Sequence, residues 1–388
     1  MGITKPILDK VMKPIDSIRK YKDTEVPKMQ KEADEGKTPP NLDKDIERMK
    51  KFKKLADKIP KLVRTVRNAI TAIETAKAIA EELINNNHEI ILLGIGNEIE
   101  NNAYKELDSK LYSISIEGFR GQKVLKKFKV LIQTLKGVLK VLKIIKKENI
   151  DAMIGFGGFI CIPAGIAIWI RRLPIFIHEQ NAIMGTANRL LSKIAKINFL
   201  GFPIKQIKRS IVSGNPIRKS FINIDNDHHE HDQNEIRIYV TGGSQGASFI
   251  NQEIPMVFKE LSCNLKIKHQ SGENYFDEVR SLYSTENIQA EVYKFYDNPA
   301  KEILWSDFVI SRAGALSLSE IISLKRGALI IPLATSIDNH QVENAKSIAK
   351  MNMGVLHEEK DGKEKLVNKL KEFIEKKLYL NWKKNYIN

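Results

Sequence analysis

Cysteine is scarce in this chain: Cys161 and Cys263 are the two among 388 residues. They are too few for the disulfide framework on which small secreted domains depend. The first residues also lack the short apolar core and small-residue cleavage pattern of a secretory signal. We therefore expect a reducing, cytoplasmic compartment. The length exceeds what one core usually fills, so we expect two α/β domains with a ligand cleft between them.

A membrane-spanning helix is also not predicted. Residues 152–170 form an uncharged run of 19 residues, which is long enough in principle to cross a bilayer. Helix-breaking residues interrupt this run, and Arg171 and Arg172 close it. The pattern predicts a short strand, a glycine turn at the carboxyl end of that strand, and a helix. The interrupting residues are Gly155, Gly157, Gly158, Pro163 and Gly165.

Positive charge is abundant and uneven, with a net charge of +16. Residues 1–66 hold 18 Lys and Arg against 11 Asp and Glu, and residues 121–150 hold nine Lys against one Glu. The second segment predicts a basic amphipathic helix, whose lysine face is either a solvated surface or a contact for anionic lipid headgroups. Aromatic residues do not alternate with these lysines, so nucleic acid is not expected. The lysines at helical spacing are Lys129, Lys136, Lys140, Lys143 and Lys147, and the opposite apolar stripe is Leu125, Phe128, Ile132, Leu135, Leu139 and Leu142.

Two glycine-rich segments, 241–246 and 311–317, each stand between a strand pattern and a helix pattern. The start of a helix offers unpaired N–H groups and a partial positive charge, and glycine lets a phosphate approach that backbone closely. One such loop alone is weak evidence, since many α/β proteins have one without a ligand. The pair, about 70 residues apart, predicts an anionic, phosphate-bearing ligand.

A series of short motifs, taken in chain order, resembles the MurG family, the N-acetylglucosaminyltransferases of peptidoglycan synthesis. The resemblance runs from about residue 78 to about residue 354. It implies a GT-B architecture, in which two Rossmann-like α/β domains enclose a cleft. The motifs are Ile154-Gly155-Phe156-Gly157-Gly158, His178-Glu179-Gln180-Asn181, Gly214-Asn215-Pro216-Ile217-Arg218, the 243–246 loop, His269-Gln270-Ser271-Gly272, residues 311–320 and Asp338-Asn339-His340-Gln341.

We expect the chain to divide into five parts. These are a lysine-rich helical extension of unknown role (1–66), an N-terminal domain facing membrane and lipid acceptor (67–205), a linker (206–234), a C-terminal domain that binds the sugar nucleotide (235–360), and a C-terminal helix (361–388). The three histidines between 228 and 231 fall in the linker and could also suggest a metal site, but we expect a plain linker.

The resemblance also implies the reaction. The family moves N-acetylglucosamine from UDP-N-acetylglucosamine to lipid I, undecaprenyl-diphospho-N-acetylmuramoyl-pentapeptide, with inversion at the anomeric carbon, and forms lipid II. UDP leaves, and fixed backbone dipoles stabilise its charge, so no metal or cofactor is expected. The implied partners are the two substrates, the anionic inner leaflet at the cytoplasmic face of the bacterial membrane, to which the protein would bind peripherally, and other proteins of cell-wall synthesis.

By motif position, the resemblance places the nucleotide in the C-terminal domain. Ser244 and Gln245 would contact the diphosphate, and Arg218 would lie along the uridine and phosphate side. Glu320 would accept hydrogen bonds from the ribose hydroxyls. Tyr296 falls where the family binds uracil, largely through main chain.

The sugar and the acceptor are expected on both walls of the cleft. Asn181 would reach the sugar from the N-terminal domain. His178 and Glu179 are candidates for the general base, although the sequence assigns the role to neither, and packing is the ordinary role of such a histidine. The remaining implied sugar contacts are Ala315, Leu316, Ser317 and Gln341, and the implied acceptor-side residues are Gly155, Gly157 and Gly158.

The chain departs from the family near its start. The family has a first strand and a glycine-rich loop that ends in histidine, whereas here residues 67–72 read Arg-Asn-Ala-Ile-Thr-Ala. Apolar residues at helical spacing between Ile59 and Ile73 predict one continuous helix in place of strand, loop and helix start. Three hypotheses follow: an active lipid-linked glycosyltransferase, an impaired relative that binds a UDP-sugar or a partner at the membrane surface, and a basic membrane adaptor.

Overall fold

Strands and helices alternate along the chain and form two successive parallel sheets. The structure, a computed structural model, describes residues 61–65, 70–96, 98–114, 124–222, 224, 235–243, 246–333 and 339–381. The first unit comprises β1 (Lys61–Thr65), α1 (Ile70–Asn85), β2 (Glu89–Gly94), α2 (Glu98–Tyr104), β3 (Lys110–Ser113), α3 (Val124–Lys147), β4 (Ile150–Gly155), α4 (Cys161–Ile170), β5 (Ile175–Glu179), α5 (Thr186–Leu191), β6 (Ile197–Leu200) and β7 (Ser210–Val212).

The second unit repeats this alternation. It comprises β8 (Glu235–Thr241), α6 (Ser248–Phe258), β9 (Asn264–Gln270), α7 (Phe276–Thr285), β10 (Ala290–Tyr293), α8 (Pro299–Trp305), β11 (Phe308–Ser311), α9 (Ala315–Ser323), β12 (Gly327–Ile330), α10 (His340–Lys350), β13 (Gly354–Leu356) and α11 (Gly362–Glu375).

The sheets have the orders β3-β2-β1-β4-β5-β6-β7 and β10-β9-β8-β11-β12-β13, and every neighbouring pair is parallel. Parallel strands are buried on both faces, which explains the aliphatic runs in β2, β4, β5 and β12. In both sheets the strand order reverses beside the first strand of the unit, so ligands are expected at the carboxyl ends of the central strands.

The expected continuous helix from Ile59 to Ile73 is wrong. Residues 61–65 form β1, which lies in the middle of the first sheet and pairs with both β2 and β4. Two facts in the sequence favour this outcome. Pro60 cannot continue a helix without loss of a hydrogen bond, and the strand after it offers Leu62 and Val63 to a sheet that would otherwise be split between β2 and β4.

The basic helix is present as α3, and three residues of its predicted apolar stripe are exposed. Leu135 is 57% and Leu139 62% exposed, and Ile132 is exposed as well, while Leu142 packs partly against the core. Another set of residues packs on the sheet and on α4, namely Val138, Val141, Ile144 and Ile145. The helix therefore has one buried apolar face and a second, open one.

Other boundaries differ from the expectation. β7 pairs with β6, so residues 210–212 belong to the first sheet rather than to a linker. α11 packs on the second core through Leu366, Leu370 and Phe373. The three linker histidines lie outside the described residues. Within the described ranges, no helix is both long enough and apolar enough to span a membrane.

Candidate functional site

The first glycine loop leads from the end of β8 to the start of α6. Gly246 has φ +75°, and a Cβ there would run into the carbonyl oxygen of Ser271, so glycine is required on two grounds. The Gly246 N–H donates to the carbonyl of Gly243 at 3.1 Å, which closes the turn. Ser244 and Gln245, the predicted diphosphate contacts, lie outside the described residues.

A buried amide, Gln270, holds this loop from the next strand. Its Nε2 donates to the carbonyl of Gly243 at 3.0 Å, while its Oε1 accepts from the backbone N–H of Tyr296 at 3.2 Å. The ring of Tyr296 packs against Tyr239 at 5.8 Å and Tyr293 at 4.5 Å between centroids. One side chain thus links the predicted phosphate loop to the segment predicted to bind uracil.

The start of α6 is held from beneath by a buried polar chain. The amide of Asn251 donates to the Ser271 carbonyl at 2.8 Å and accepts at 3.0 Å from His269, whose other ring nitrogen lies 2.9 Å from the hydroxyl of Tyr283. Burial lowers the pKa of His269 to about 3, so this histidine is neutral. His269 is thus a packing residue beneath the wall of the cleft that the second unit forms, called the donor wall below.

The second glycine loop leads from β11 to α9. Gly314 is the residue before the helix, Ala315 and Leu316 are buried in its first turn, and Ser317 is exposed. Glu320 follows one turn later and is 6% exposed. Its carboxylate accepts two hydrogen bonds from Arg218, from Nε at 2.7 Å and from the terminal nitrogen at 3.0 Å.

This ion pair brings together two residues that are 102 positions apart in sequence. Burial raises the pKa of Glu320, and the charge and hydrogen bonds of Arg218 oppose that rise. The Arg218 side chain is 51% exposed and lies 4.8 Å from the ring of Phe221. A buried carboxylate facing a solvent-accessible guanidinium can bind ribose hydroxyls and a phosphate side by side.

The N-terminal wall of the cleft is organised around Glu179 at the end of β5. Its carboxylate accepts four hydrogen bonds: two from Asn181, one from Gly185 and one from Asn188, at 2.9–3.2 Å. A carboxylate so fully occupied has no free lone pair directed at a substrate. The geometry therefore gives Glu179 a structural role in shaping the loop that carries Asn181.

His178 is completely buried, and its Nε2 lies 3.2 Å from the carbonyl of Gly214. Its ring packs 6.0 Å from Phe156, at the glycine turn after β4. In that turn the Gly157 carbonyl accepts from the thiol of Cys161 at 2.8 Å, and the Phe156 carbonyl accepts from the amide of Gln180 at 3.3 Å. The predicted acceptor-side glycines, Gly155, Gly157 and Gly158, thus lie beside the Glu179 loop.

Two asparagines tie the walls of the cleft together. Asn215 donates to the carbonyl of Gln180 and to the hydroxyl of Ser319, both at 3.0 Å. Asn344 on α10 accepts from the N–H of Ala182 at 2.7 Å. It also donates to Asn181 Oδ1 at 3.2 Å and to the carbonyl of Ala313 at 3.1 Å.

Sequence reasoning did not single out Asn344, although it lies one helical turn after Gln341. Gln341 itself accepts from the Leu333 N–H at 2.9 Å, so the predicted sugar contact anchors the start of α10. Residues 334–338, which connect Leu333 to the start of α10, lie outside the described residues. An amide three positions after a predicted ligand, on the same helix face, is the signal that could have identified Asn344.

Family models match both units of the chain. The model for the glycosyltransferase family 28 N-terminal domain matches residues 72–199, and the model for the C-terminal domain of that family matches residues 237–386. Together they match more than half of the chain.

Individual relatives agree. A protein of Haemophilus influenzae (strain PittEE), named UDP-N-acetylglucosamine--N-acetylmuramyl-(pentapeptide) pyrophosphoryl-undecaprenol N-acetylglucosamine transferase, is 35% identical over 306 residues, 78% of this chain and 87% of the relative. A protein of the same name from Wigglesworthia glossinidia brevipalpis is 36% identical over 306 residues, 77% of this chain and 85% of the relative.

A solved structure shows the same architecture. The crystal structure of Acinetobacter baumannii MurG matches with a TM-score of 0.73 at 28% identity and covers 83% of this chain and 93% of that one. The paired sheets, the two glycine loops and the cleft between them are therefore a GT-B fold, as predicted. On these matches the chain belongs to the MurG family, within glycosyltransferase family 28.

Proposed function

We propose that this protein transfers N-acetylglucosamine from UDP-N-acetylglucosamine to lipid I and releases UDP and lipid II. The relatives are named for this reaction, and this chain matches 85–87% of their lengths. The observation that carries the proposal is the Arg218–Glu320 pair beside the two glycine loops, because it offers both a carboxylate for ribose and a cation for diphosphate.

Transition-state stabilisation would come from the donor wall. As the glycosidic bond breaks, negative charge grows on the diphosphate, and backbone N–H groups at the start of α6 and α9 would stabilise that charge. Gly246 fits closely against the Ser271 carbonyl and Gln270 bonds to Gly243, and both keep the loop in shape. Asn181 and Gln341 would hold the sugar from opposite walls.

The lipid acceptor suggests where the protein meets a membrane. The open face of α3 exposes Leu131, Ile132, Leu135 and Leu139, and Lys136, Lys140 and Lys143 flank them. Leucines that enter the headgroup region beside lysines that bind anionic lipid are typical of interfacial helices. The neighbouring helix α4 ends in exposed Trp169 and Ile170, followed by Arg171 and Arg172. We place the protein peripherally at the cytoplasmic leaflet.

The transfer itself is tested with radiolabelled UDP-N-acetylglucosamine and a short-chain lipid I analogue, with UDP release followed in the same sample. Labelled lipid II analogue and one equivalent of UDP are expected. If the protein binds UDP by calorimetry but forms no lipid product, it is an impaired donor-binding relative. If it neither binds nor transfers, the donor site is a remnant and the adaptor hypothesis stands.

The membrane contact is tested by vesicle flotation with phosphatidylglycerol-containing vesicles. Replacement of Leu135 and Leu139 by Gln is expected to lower the bound fraction at least about tenfold. Burial of each leucine side chain in the bilayer would contribute roughly 2 kcal/mol of binding free energy. The matched control replaces Val212, which is 56% exposed on the edge strand β7, by Gln. Equal binding of the double variant and the parent would make α3 an ordinary surface helix.

A further inference from the structure

Two largely buried arginines of the second unit bind main-chain carbonyls at opposite edges of its sheet. Arg326 is 7% exposed and donates to four carbonyls at 2.6–3.2 Å, all of which precede β11 or β12. Arg312 follows β11 and donates from Nη1 to the carbonyls of Ile331 at 3.2 Å and Pro332 at 3.3 Å, which follow β12. Ligands of open parallel sheets bind beyond the carboxyl ends of the strands, so Arg312 is the one of the two that lies at the ligand edge.

The Arg312 guanidinium is also bound by Glu359, in the turn that precedes α11. The carboxylate of Glu359 accepts from the same nitrogen, and the two side chains are 12% and 22% exposed. Because α11 packs on the second core, this counter-ion is anchored to the body of the unit. A guanidinium that is bound by three acceptors and largely shielded from water keeps one orientation.

Arg312 is part of the second glycine loop through its own backbone. It lies shortly before Gly314 and α9, whose first turn carries predicted sugar contacts. The carbonyl of the next residue, Ala313, accepts from the side chain of Asn344 on α10 at 3.1 Å. The loop is thus held by the side chain of residue 312 and by the main chain of residue 313.

The chain segment that Arg312 holds leads to Gln341. The residue after the two bound carbonyls is Leu333, whose N–H donates to Oε1 of Gln341 at 2.9 Å. One turn further along α10, Asn344 bonds back to Ala313, the neighbour of Arg312. These contacts form a closed ring, which joins the start of α9 to the start of α10. Both places carry predicted sugar contacts.

We propose that Arg312 is a positioning residue for the N-acetylglucosamine of the donor, an inference that rests on the proposed function. Arg312 holds residues 331–333, and through them Gln341, at a fixed distance from the first turn of α9. It acts on the sugar through these main-chain contacts. The nucleotide part is held separately, because the Arg218–Glu320 pair and the first glycine loop are bound by other residues.

The test measures how much the sugar contributes to donor affinity. Calorimetry without acceptor gives the dissociation constants of UDP and of UDP-N-acetylglucosamine, and their ratio isolates the contribution of the sugar. Arg312→Lys keeps the charge beside Glu359 but loses the planar fork that reaches two carbonyls. We expect this variant to weaken UDP-N-acetylglucosamine binding at least about tenfold relative to UDP binding, because the contacts at Gln341 and at α9 shift together. The KM for the donor should rise accordingly in the transfer assay.

Arg326→Lys is the matched control, since it makes the same change at the other edge of the sheet. It should lower the urea midpoint, as Arg312→Lys does, and leave the ratio of the two dissociation constants near that of the parent. A neutral pair, Arg312→Met with Glu359→Gln, removes the guanidinium without leaving a lone charge. It should reproduce the shift in the ratio, and it decides the question if Arg312→Lys does not fold.

Two results overturn the positioning role while the proposed function stands. One is a ratio that changes less than about threefold in Arg312→Lys, and the other is an equal change in Arg326→Lys, which would mark a general loss of stability. A parent that binds the donor but transfers no sugar overturns the proposed function alone, and the ratio still decides the role of Arg312. A parent that binds neither ligand overturns both.

Discussion

The two halves of the molecule contain the same topological junction, built with different sequences. β1 lies between β2 and β4, and β8 lies between β9 and β11, and each is followed by the first helix of its sheet. After β8 come Gly242, Gly243 and Gly246, whereas the four residues after β1 read Val-Arg-Asn-Ala. The comparison separates two requirements: a parallel sheet needs no glycine at this junction, but a backbone that cradles a phosphate does.

The largest effect is expected when the loop after β8 loses a glycine and so becomes more like the glycine-free segment after β1. Gly246→Ala would place a Cβ against the Ser271 carbonyl at a positive φ, so the loop must move. We expect UDP affinity to fall at least about 100-fold and the free energy of unfolding by roughly 2–3 kcal/mol, measured by calorimetry and urea titration. The control is Gly243→Ala, which shares the positive φ but meets no atom of the described residues within 4 Å and should cost about 1 kcal/mol of stability. Equal losses in the two variants would show that backbone strain, not the close approach at Gly246, governs the loop.

A smaller effect on UDP affinity is expected when the Arg218–Glu320 ion pair is broken. Glu320→Ala removes the carboxylate assigned to the ribose and releases Arg218, so UDP affinity should weaken by about 1.5–2 kcal/mol in calorimetry. Glu179→Gln on the opposite wall is the control. It places an amide among four N–H donors and should lower stability while the UDP dissociation constant stays within about threefold. Unchanged UDP affinity in Glu320→Ala would contradict the donor-site assignment.

The smallest effect concerns acid stability of the donor half. The pKa of His269 is lowered to about 3 and that of His357 to about 4 by burial, below the ordinary 6.5. The unfolded chain therefore takes up protons first as pH falls from about 6.5, and each histidine removes about 1.4 kcal/mol of stability per pH unit until its folded pKa is reached. His269→Gln should reduce the slope of unfolding free energy against pH, between pH 6 and 4.5, by about one proton. Parallel slopes for variant and parent would show that His269 does not titrate on unfolding.

Much of this architecture could be read from the sequence, because local signals and tertiary structure agree there. The strand, glycine turn and helix at 150–170, the two glycine loops and the strands before them are where the patterns place them. Each follows from side-chain periodicity and from glycine at a turn, which act over a few residues.

The predictions that differ from the structure share a different cause. β1 has two aliphatic residues, and its stability comes from pairing on both sides with strands that lie 28 or more residues away. Most of the described residues in the predicted α3 stripe are exposed, because two sets of apolar residues satisfy a helical period on α3 and the set at 138–145 is the one that packs on the sheet. Asn344 makes its contacts with Ala182 and Asn181 of the other domain, so the sequence marks it only by its spacing from Gln341.

The asparagine bridge at Asn344 has a kinetic consequence. Asn344 is buried, and its hydrogen bonds to Ala182 and Asn181 join the two walls of the cleft. Because any separation of the two domains at this point must break both, at a net cost of about 0.5–1.5 kcal/mol each, the bridge slows opening by roughly five- to a hundredfold. The rate at which the two domains part is thereby coupled to a single amide that is not among the predicted nucleotide contacts.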